Sequence, residues 1–250
     1  MQKLGIQSYT FNASRDLDFL LDRAGKCGCR LLGMSNFHID WSGTIPEIAE
    51  KVKRIHDRGI QVASIGPVGN IAGKSVFEAA RTAGTTVVAA TFSPTNRFLD
   101  AMVRAAEMAS EFGCVVAIHN HGAYDWLGGL PMLEYIFANT PDNFGLCLDT
   151  AWAVDAASHP GETAVTWVEK FALRLFNIHL KDFTYDRNGN REEWVIGDGQ
   201  LDVGGFVKAC LDRDYRGDFL LEYESNETDD EKNRSVARGL AVAAKHLGSV

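Results

Sequence analysis

The 250-residue chain has no apolar run that approaches the roughly 20 residues a membrane-spanning helix requires. A membrane partner is therefore not expected. It also has no lysine- or arginine-rich stretch, and 33 acidic residues outnumber 25 basic ones to give a formal net charge of −8. A surface of that sign repels phosphate backbones, so nucleic acid is not an expected partner. No glycine-rich phosphate loop follows the first apolar run, where Ser8-Tyr9-Thr10-Phe11 stands instead, and this argues against an open dinucleotide-binding sheet. The cysteines (Cys27, Cys29, Cys114, Cys147 and Cys210) are odd in number, and Cys27-Gly28-Cys29 lacks the two-residue spacer of a redox or zinc pair. Reduced, mostly buried thiols are the expectation. Residues 1–7 already read as a strand, without the charged and apolar regions of a signal peptide, so a cytoplasmic protein is expected.

What the chain does have is one unit repeated: a short apolar run, a polar turn, then an amphipathic helical stretch. The pattern predicts strands at 3–11, 30–35, 60–65, 85–92, 114–120, 144–150, 175–181 and 218–223. Helices are predicted at 14–28, 45–58, 74–83, 96–112, 130–138, 162–173, 203–213 and 231–247, with a long polar loop over 183–201. Asp16 is placed to favour the positive end of the first helix. Gly59, Gly84 and Gly113 each stand where a helix stops. Strands that alternate with helices imply a parallel sheet, and near-continuous apolar strands imply a sheet covered on both faces. Eight such units in 250 residues, with no linker, predict an α/β fold consisting of a single (β/α)8 TIM barrel over residues 1–250.

Function in such a barrel gathers where strands end. His119, Asp149, His179 and Glu222 end four consecutive strands at spacings of 30, 30 and 43 residues, about one unit each. Two imidazoles and two carboxylates meeting at one mouth suit a divalent metal, which compensates the burial of so many ionisable groups. Residues two apart on a strand share a face, so His121 should lie beside His119 and Lys181 beside His179.

These strand ends resemble a known family. His119-Asn120-His121-Gly122, Leu148-Asp149-Thr150, His179-Leu180-Lys181-Asp182, Gly197-Asp198-Gly199 and Leu221-Glu222-Tyr223-Glu224 are similar, in that order, to the xylose-isomerase-like TIM barrels, a family of sugar phosphate isomerases and epimerases. The resemblance implies one divalent ion held by Glu, Asp, His and Glu. Here His119 stands at the first Glu position, and Trp152 stands where the family often has a histidine. With two carboxylates instead of three, the site is roughly neutral around a divalent ion. The two imidazoles favour Mn²⁺, Co²⁺, Zn²⁺ or Fe²⁺ over Mg²⁺. The related apurinic endonucleases hold three zinc ions with many histidines; seven histidines in this acidic chain do not assemble such a site.

The resemblance implies isomerisation or epimerisation of a small sugar-like substrate, by proton transfer next to a carbonyl through a metal-bound enediolate. Glu222 or His121 would be the base and Lys181 the oxyanion stabiliser. Trp152, His121, Lys181, Asp198 and Tyr9 are the expected substrate contacts. Each has a plainer reading: an outer hydrogen bond for His121, an ion pair with Asp182 for Lys181, core packing for Trp152. Glu224 is read as a rim carboxylate, solvated or paired with a cation. Trp194 and Asp198 are read as parts of a lid on the long loop, and His38 as a surface or pocket-edge residue. The loss of one Glu from the family set keeps a second reaction open, β-elimination from a keto-sugar or 3-keto-glycoside. A non-catalytic sugar-binding barrel is a third reading. No arginine cluster ends the strands, which disfavours a phosphorylated sugar. A homo-oligomer is compatible with the sequence.

Overall fold

The computed structural model describes residues 3–122, 125–156 and 161–248. Met1 and Gln2, which open the stretch read as strand-like, lie outside them. Eight parallel strands close into a barrel: β1 (Leu4–Gln7), β2 (Leu31–Met34), β3 (Gln61–Val68), β4 (Val87–Ala90), β5 (Val115–His119), β6 (Phe144–Asp149), β7 (Leu175–Leu180) and β10 (Phe219–Leu221). Each pairs with its neighbours in chain order, and β10 returns to β1. The helices that follow these strands are α1 (Leu17–Lys26), α2 (Ile45–Asp57), α3 (Ser75–Thr82), α4 (Phe98–Glu111), α5 (Leu130–Ala138), α6 (Thr150–Asp155), α7 (Ala164–Phe171), α8 (Val203–Asp212) and α9 (Asp229–Leu247). The barrel is the TIM-barrel fold that the sequence pattern predicts. No helix among the described residues is long and apolar enough to cross a membrane.

Local chemistry sets the helix boundaries. The Asp16 carboxylate accepts from the Phe19 amide at 2.8 Å and caps α1. Thr44 with Glu47, and Thr228 with Glu231, form capping boxes at α2 and α9. Inward faces follow helical spacing: Leu17, Leu20, Leu21 and Ala24 in α1, and Met102, Ala105, Ala106 and Ala109 in α4, all buried. Gly145 on β6 admits no side chain, because a Cβ there would lie 2.1 Å from the Arg174 carbonyl oxygen.

Three expectations are corrected, all at the rim. Residues 8–11, expected to extend the first strand, form a 3-10 turn (Ser8–Phe11). The Gln7 side chain accepts from the Ser8 amide at 2.8 Å, and the Ser8 hydroxyl accepts from the Ser35 amide at 2.8 Å. These side-chain bonds replace ladder bonds, and Tyr9 thereby reaches the mouth. Thr150, expected to end strand six, instead opens the short helix α6 (Thr150–Asp155). The long loop contains an antiparallel hairpin, β8 (Asp182–Tyr185) with β9 (Arg191–Trp194). Its turn is wound around Asp186, whose Oδ1 accepts from the amides of Asn188 and Asn190 at 2.7 and 2.8 Å, and Gly189 has φ +80°.

Candidate metal centre and active site

Four strand ends build the centre. His119 closes β5, Asp149 closes β6, His179 is the penultimate residue of β7, and Glu222 follows β10. Parallel register sets Asp149 opposite His179, and the Glu222 amide donates to the Leu180 carbonyl at 2.9 Å. The four side chains are therefore level, and one donor atom from each lies within 4.8 Å of all the others. All four are buried, Asp149 and His179 completely.

His179 Nδ1 is 2.8 Å from Glu222 Oε2 and 3.1 Å from His119 Nε2. His119 Nε2 is 3.9 Å from Asp149 Oδ2. Asp149 divides its carboxylate: Oδ1 accepts from the Ala151 and Trp152 amides, each at 3.0 Å, capping α6. Its Oδ2 has no hydrogen-bond partner, and neither has Glu222 Oε2, whose approach to His179 lacks hydrogen-bond geometry. A buried, unpartnered carboxylate oxygen costs several kcal/mol unless something neutralises it. Two such oxygens and two imidazole nitrogens facing one centre form a mixed N/O donor set that a divalent transition ion fits.

The electrostatics agree with that donor set. Burial first, then the nearby imidazoles of His179 and His121, hold His119 well below the ordinary histidine value, so it is neutral and able to ligate. Burial pushes Asp149 up to about 7, against the pull of the Lys181 ammonium and with the push of Glu222. Glu222 goes the other way. Burial would raise it, but His179 and Lys181 together bring it well below the usual carboxylate range. His179 is pulled down by burial and pushed well above its usual value by the Cys147 sulfur and the Glu222 carboxylate. His179 and Glu222 thus favour each other's charged forms, and a metal on His179 Nδ1 would compete with the proton there.

A cavity of about 320 Å³ opens above the centre, lined among others by Tyr9, His119, His121, Trp152, Glu222 and Glu224. His121 packs against His119 with ring centroids 4.5 Å apart, as the strand alternation predicts. Gly122, next to it, has no room for a Cβ, which would fall 2.5 Å from Trp152 Cε3. Tyr9, His121, Trp152 and Glu222 thus all reach the cavity.

Lys181 and Asp198 do not line it. Lys181 is 1% exposed and lies beneath the wall, its ammonium bonded to Glu224 and 5.2 Å from the Trp152 ring centroid. Burial would lower it, but Glu222, Asp149, Glu224 and Glu193 keep it above the ordinary lysine value. Its expected partner Asp182 is engaged elsewhere, and Glu224, read as a rim carboxylate, is the partner instead. Asp198 is drawn outward into an ion pair with Arg238 at 2.5 Å, so its carboxylate is committed away from the cavity. His38 is buried behind the wall, with Nδ1 3.2 Å from the Ser8 hydroxyl. Trp194 is 41% exposed on the outer face of the hairpin.

The sequence reading missed Arg191. Its guanidinium lies 3.4 Å from the Trp152 ring centroid and 3.2 Å from Glu193. It therefore covers one face of the indole that was expected to contact substrate. Alternation along β9 puts Arg191 and Glu193 on one side and Glu192 and Trp194 on the other, a signal available only once 191–194 is read as a strand.

The sequence pattern of the xylose isomerase-like TIM barrels matches residues 21–246. The chain belongs to that family. Its structure is similar to a D-psicose 3-epimerase of Clostridium cellulolyticum, seen with D-tagatose, at a TM-score of 0.76 and 14% identity, covering 98% of this chain and 99% of that one. It is similar to the IolI protein with a bound zinc atom at a TM-score of 0.75 and 16% identity, covering 98% and 99%. A sugar phosphate isomerase/epimerase of Parabacteroides distasonis gives a TM-score of 0.71 at 18% identity, covering 98% and 95%. None of the curated proteins matches the chain. At these identities the likeness to the solved structures is one of fold, and chemistry must be argued from the side chains.

Proposed function

We propose that this family member is a divalent-metal-dependent sugar isomerase or epimerase that moves a proton next to a carbonyl. The observation that carries the reading is the convergence of His119, Asp149, His179 and Glu222 within 4.8 Å at the carboxyl ends of the strands, directly below a cavity of sugar-sized volume. The bound zinc of IolI and the D-tagatose of the psicose epimerase, on the same fold, support it. His119, Asp149, His179 and Glu222 would hold Mn²⁺, Co²⁺, Zn²⁺ or Fe²⁺. When bound, such an ion supplies Lewis acidity that polarises the substrate carbonyl and acidifies the adjacent C–H.

The residues of the chain do the rest. His121 is kept below the ordinary histidine value chiefly by burial, so at neutral pH it is an unprotonated base facing the cavity. It or the Glu222 carboxylate takes the proton from carbon and returns it to the same or the neighbouring carbon. Lys181 acts from beneath: its ammonium holds the Glu224 carboxylate at the cavity wall, and its charge favours negative charge developing on the substrate oxygen. Tyr9 and Trp152 wall the cavity and exclude water from the reacting carbons.

A second reading, a lyase, is favoured by one specific feature. His119 leaves Glu222 as the sole glutamate in the ligand set, whereas a symmetric two-base epimerisation uses one on each side of the substrate. The same proton abstraction followed by loss of a β-substituent needs only one base. Incubating ketoses and 3-keto-glycosides with the Mn²⁺-loaded protein in D₂O separates the two. Deuterium at carbon in an isomer supports the first, and an unsaturated product supports the second. No deuterium incorporation and no product from either panel would overturn both in favour of a binding protein.

A further inference from the structure

We propose that Asn177 is the positioning residue that selects the metal-competent tautomer of His179; the proposal rests on the metal-centre reading above. A barrel interior is usually filled by branched apolar side chains. Beneath the four ligands this barrel instead holds Gln7, Ser64, Cys147 and Asn177, all buried. Gln7 and Asn177 reach His179, and Ser64 and Cys147 reach Asn177. His179 Nδ1 faces Glu222 and His119, while its Nε2 lies 3.1 Å from Gln7 Nε2 and 3.4 Å from Asn177 Nδ2.

A neutral imidazole carries one proton on one nitrogen. To ligate through Nδ1, His179 must carry it on Nε2, and a buried N–H needs an acceptor. Gln7 is a poor candidate, because its Oε1 is held by the Ser8 amide at 2.8 Å, which turns its NH₂ end towards His179. Asn177 has no such tether. Its Nδ2 lies 3.2 Å from Ser64 Oγ and 3.4 Å from Cys147 Sγ, and a hydroxyl and a thiol can each donate as well as accept. In the metal-free arrangement its two N–H hydrogens face three acceptors. A half-turn of the carboxamide places Oδ1 at the same neighbours, where its two lone pairs accept from His179 Nε2–H and from the Ser64 hydroxyl. The turn leaves His179 Nδ1 bare.

The test uses the full chain stripped of metal, with zinc titrated calorimetrically into wild type, Asn177→Leu and Asn177→Asp. Leucine keeps the volume and removes the acceptor; aspartate keeps it. The expected result is a zinc Kd about 10- to 100-fold weaker for Asn177→Leu and within about threefold of wild type for Asn177→Asp. Long-range ¹H–¹⁵N correlation of wild-type His179 should show its proton on Nε2 in the zinc form. Equal zinc affinity in a folded Asn177→Leu, or a zinc form with the proton on Nδ1, overturns the proposal. Should Asn177→Leu not fold, the Asn177→Asp affinity and the wild-type tautomer decide alone. Wild type that binds no zinc would sink the metal centre itself, a different outcome.

Discussion

Asn120 and Asp149 are locked together across two neighbouring strands. Asn120 Oδ1 accepts from the Asp149 amide at 2.8 Å, and Asn120 Nδ2 donates to the Asp149 carbonyl at 3.2 Å. Asn120 is fully buried between His119 and His121, pointing opposite to both. It fixes the backbone of Asp149, one proposed ligand, while its neighbours His119 and His121 are the proposed second ligand and base. Asn120→Ala leaves a buried N–H and C=O unpaired, at about 1–3 kcal/mol each. The expected outcome is a lower urea midpoint for the metal-free protein together with weaker metal binding. Unchanged stability and unchanged affinity would show that the clamp does not position Asp149.

Much of this was legible in the sequence, and the reason is periodicity. A strand-helix unit that recurs about every 30 residues fixes which residues end strands, so His119, Asp149, His179 and Glu222 could be placed together before any coordinates. The failures share one cause as well. Tyr9 was read within a strand, Thr150 as a strand end, and 183–201 as loop, because rim elements are short and held by side-chain bonds that periodicity does not record. The hairpin was partly signalled: Asp186-Arg187-Asn188-Gly189-Asn190, between Phe183-Thr184-Tyr185 and Trp194-Val195, is turn chemistry flanked by β-formers. Arg191 over Trp152 and Lys181 bonded to Glu224 follow from that rim geometry, which strand order alone does not specify.

Metal should stabilise the fold, and His119 should govern which metal. A ligand at 100 times its Kd adds about 2.7 kcal/mol, which for a domain of this size is a rise of about 5–10 °C in Tm. Scanning calorimetry of the stripped protein with Mn²⁺, Co²⁺, Zn²⁺ and Mg²⁺ is expected to show that rise for the first three and a smaller one for Mg²⁺. His119→Glu replaces a nitrogen donor by a third carboxylate and should narrow the gap by favouring Mg²⁺. A Mg²⁺ response equal to that of Zn²⁺ in wild type would contradict the donor-set argument.

The metal-free protein should weaken towards acid. Burial holds His38, His119 and His121 below the ordinary histidine value. Below about pH 6.5 the unfolded chain binds protons that the folded chain refuses. The stability these groups contribute is complete above that pH and is lost as pH falls towards their depressed folded values. His179 has the opposite sign: raised in the fold, its contribution is present below about pH 6.5 and fades as pH rises through its higher folded value. Asp149, pushed up to about 7 by burial, takes up a proton in the fold and opposes the three depressed histidines over the same range; the three together outweigh it, so urea midpoints should fall between pH 7 and pH 5. His38→Gln, remote from the ligands, should make that fall shallower. An acid arm unchanged by His38→Gln would mean that His38 is protonated in the fold.

Asp182 explains the glycine-acid-glycine loop, and its substitution should be the most disruptive of those considered outside the ligand set. Its Oδ1 accepts from the amides of Phe183 and Leu201, each at 2.9 Å, and its Oδ2 from those of Gly197 and Gly199 at 3.0 and 3.1 Å. Both glycines are dictated by this nest. Gly197 has φ +91°, and a Cβ on Gly199 would fall 2.3 Å from Asp182 Oδ1. Asp198, between them, faces away to Arg238, so the motif is an anchor that returns the chain from the hairpin to α8. Asp182→Ala strands four backbone donors and should cost about 3–5 kcal/mol. Asp182→Asn keeps one acceptor oxygen and should cost less. Because β8 begins at Asp182, the hairpin carrying Arg191 and Glu193 should loosen with it. Hydrogen exchange over 182–201 is expected to accelerate in Asp182→Asn while the strands that carry the ligands stay protected. Uniform acceleration across the barrel would mean that the nest supports the whole fold.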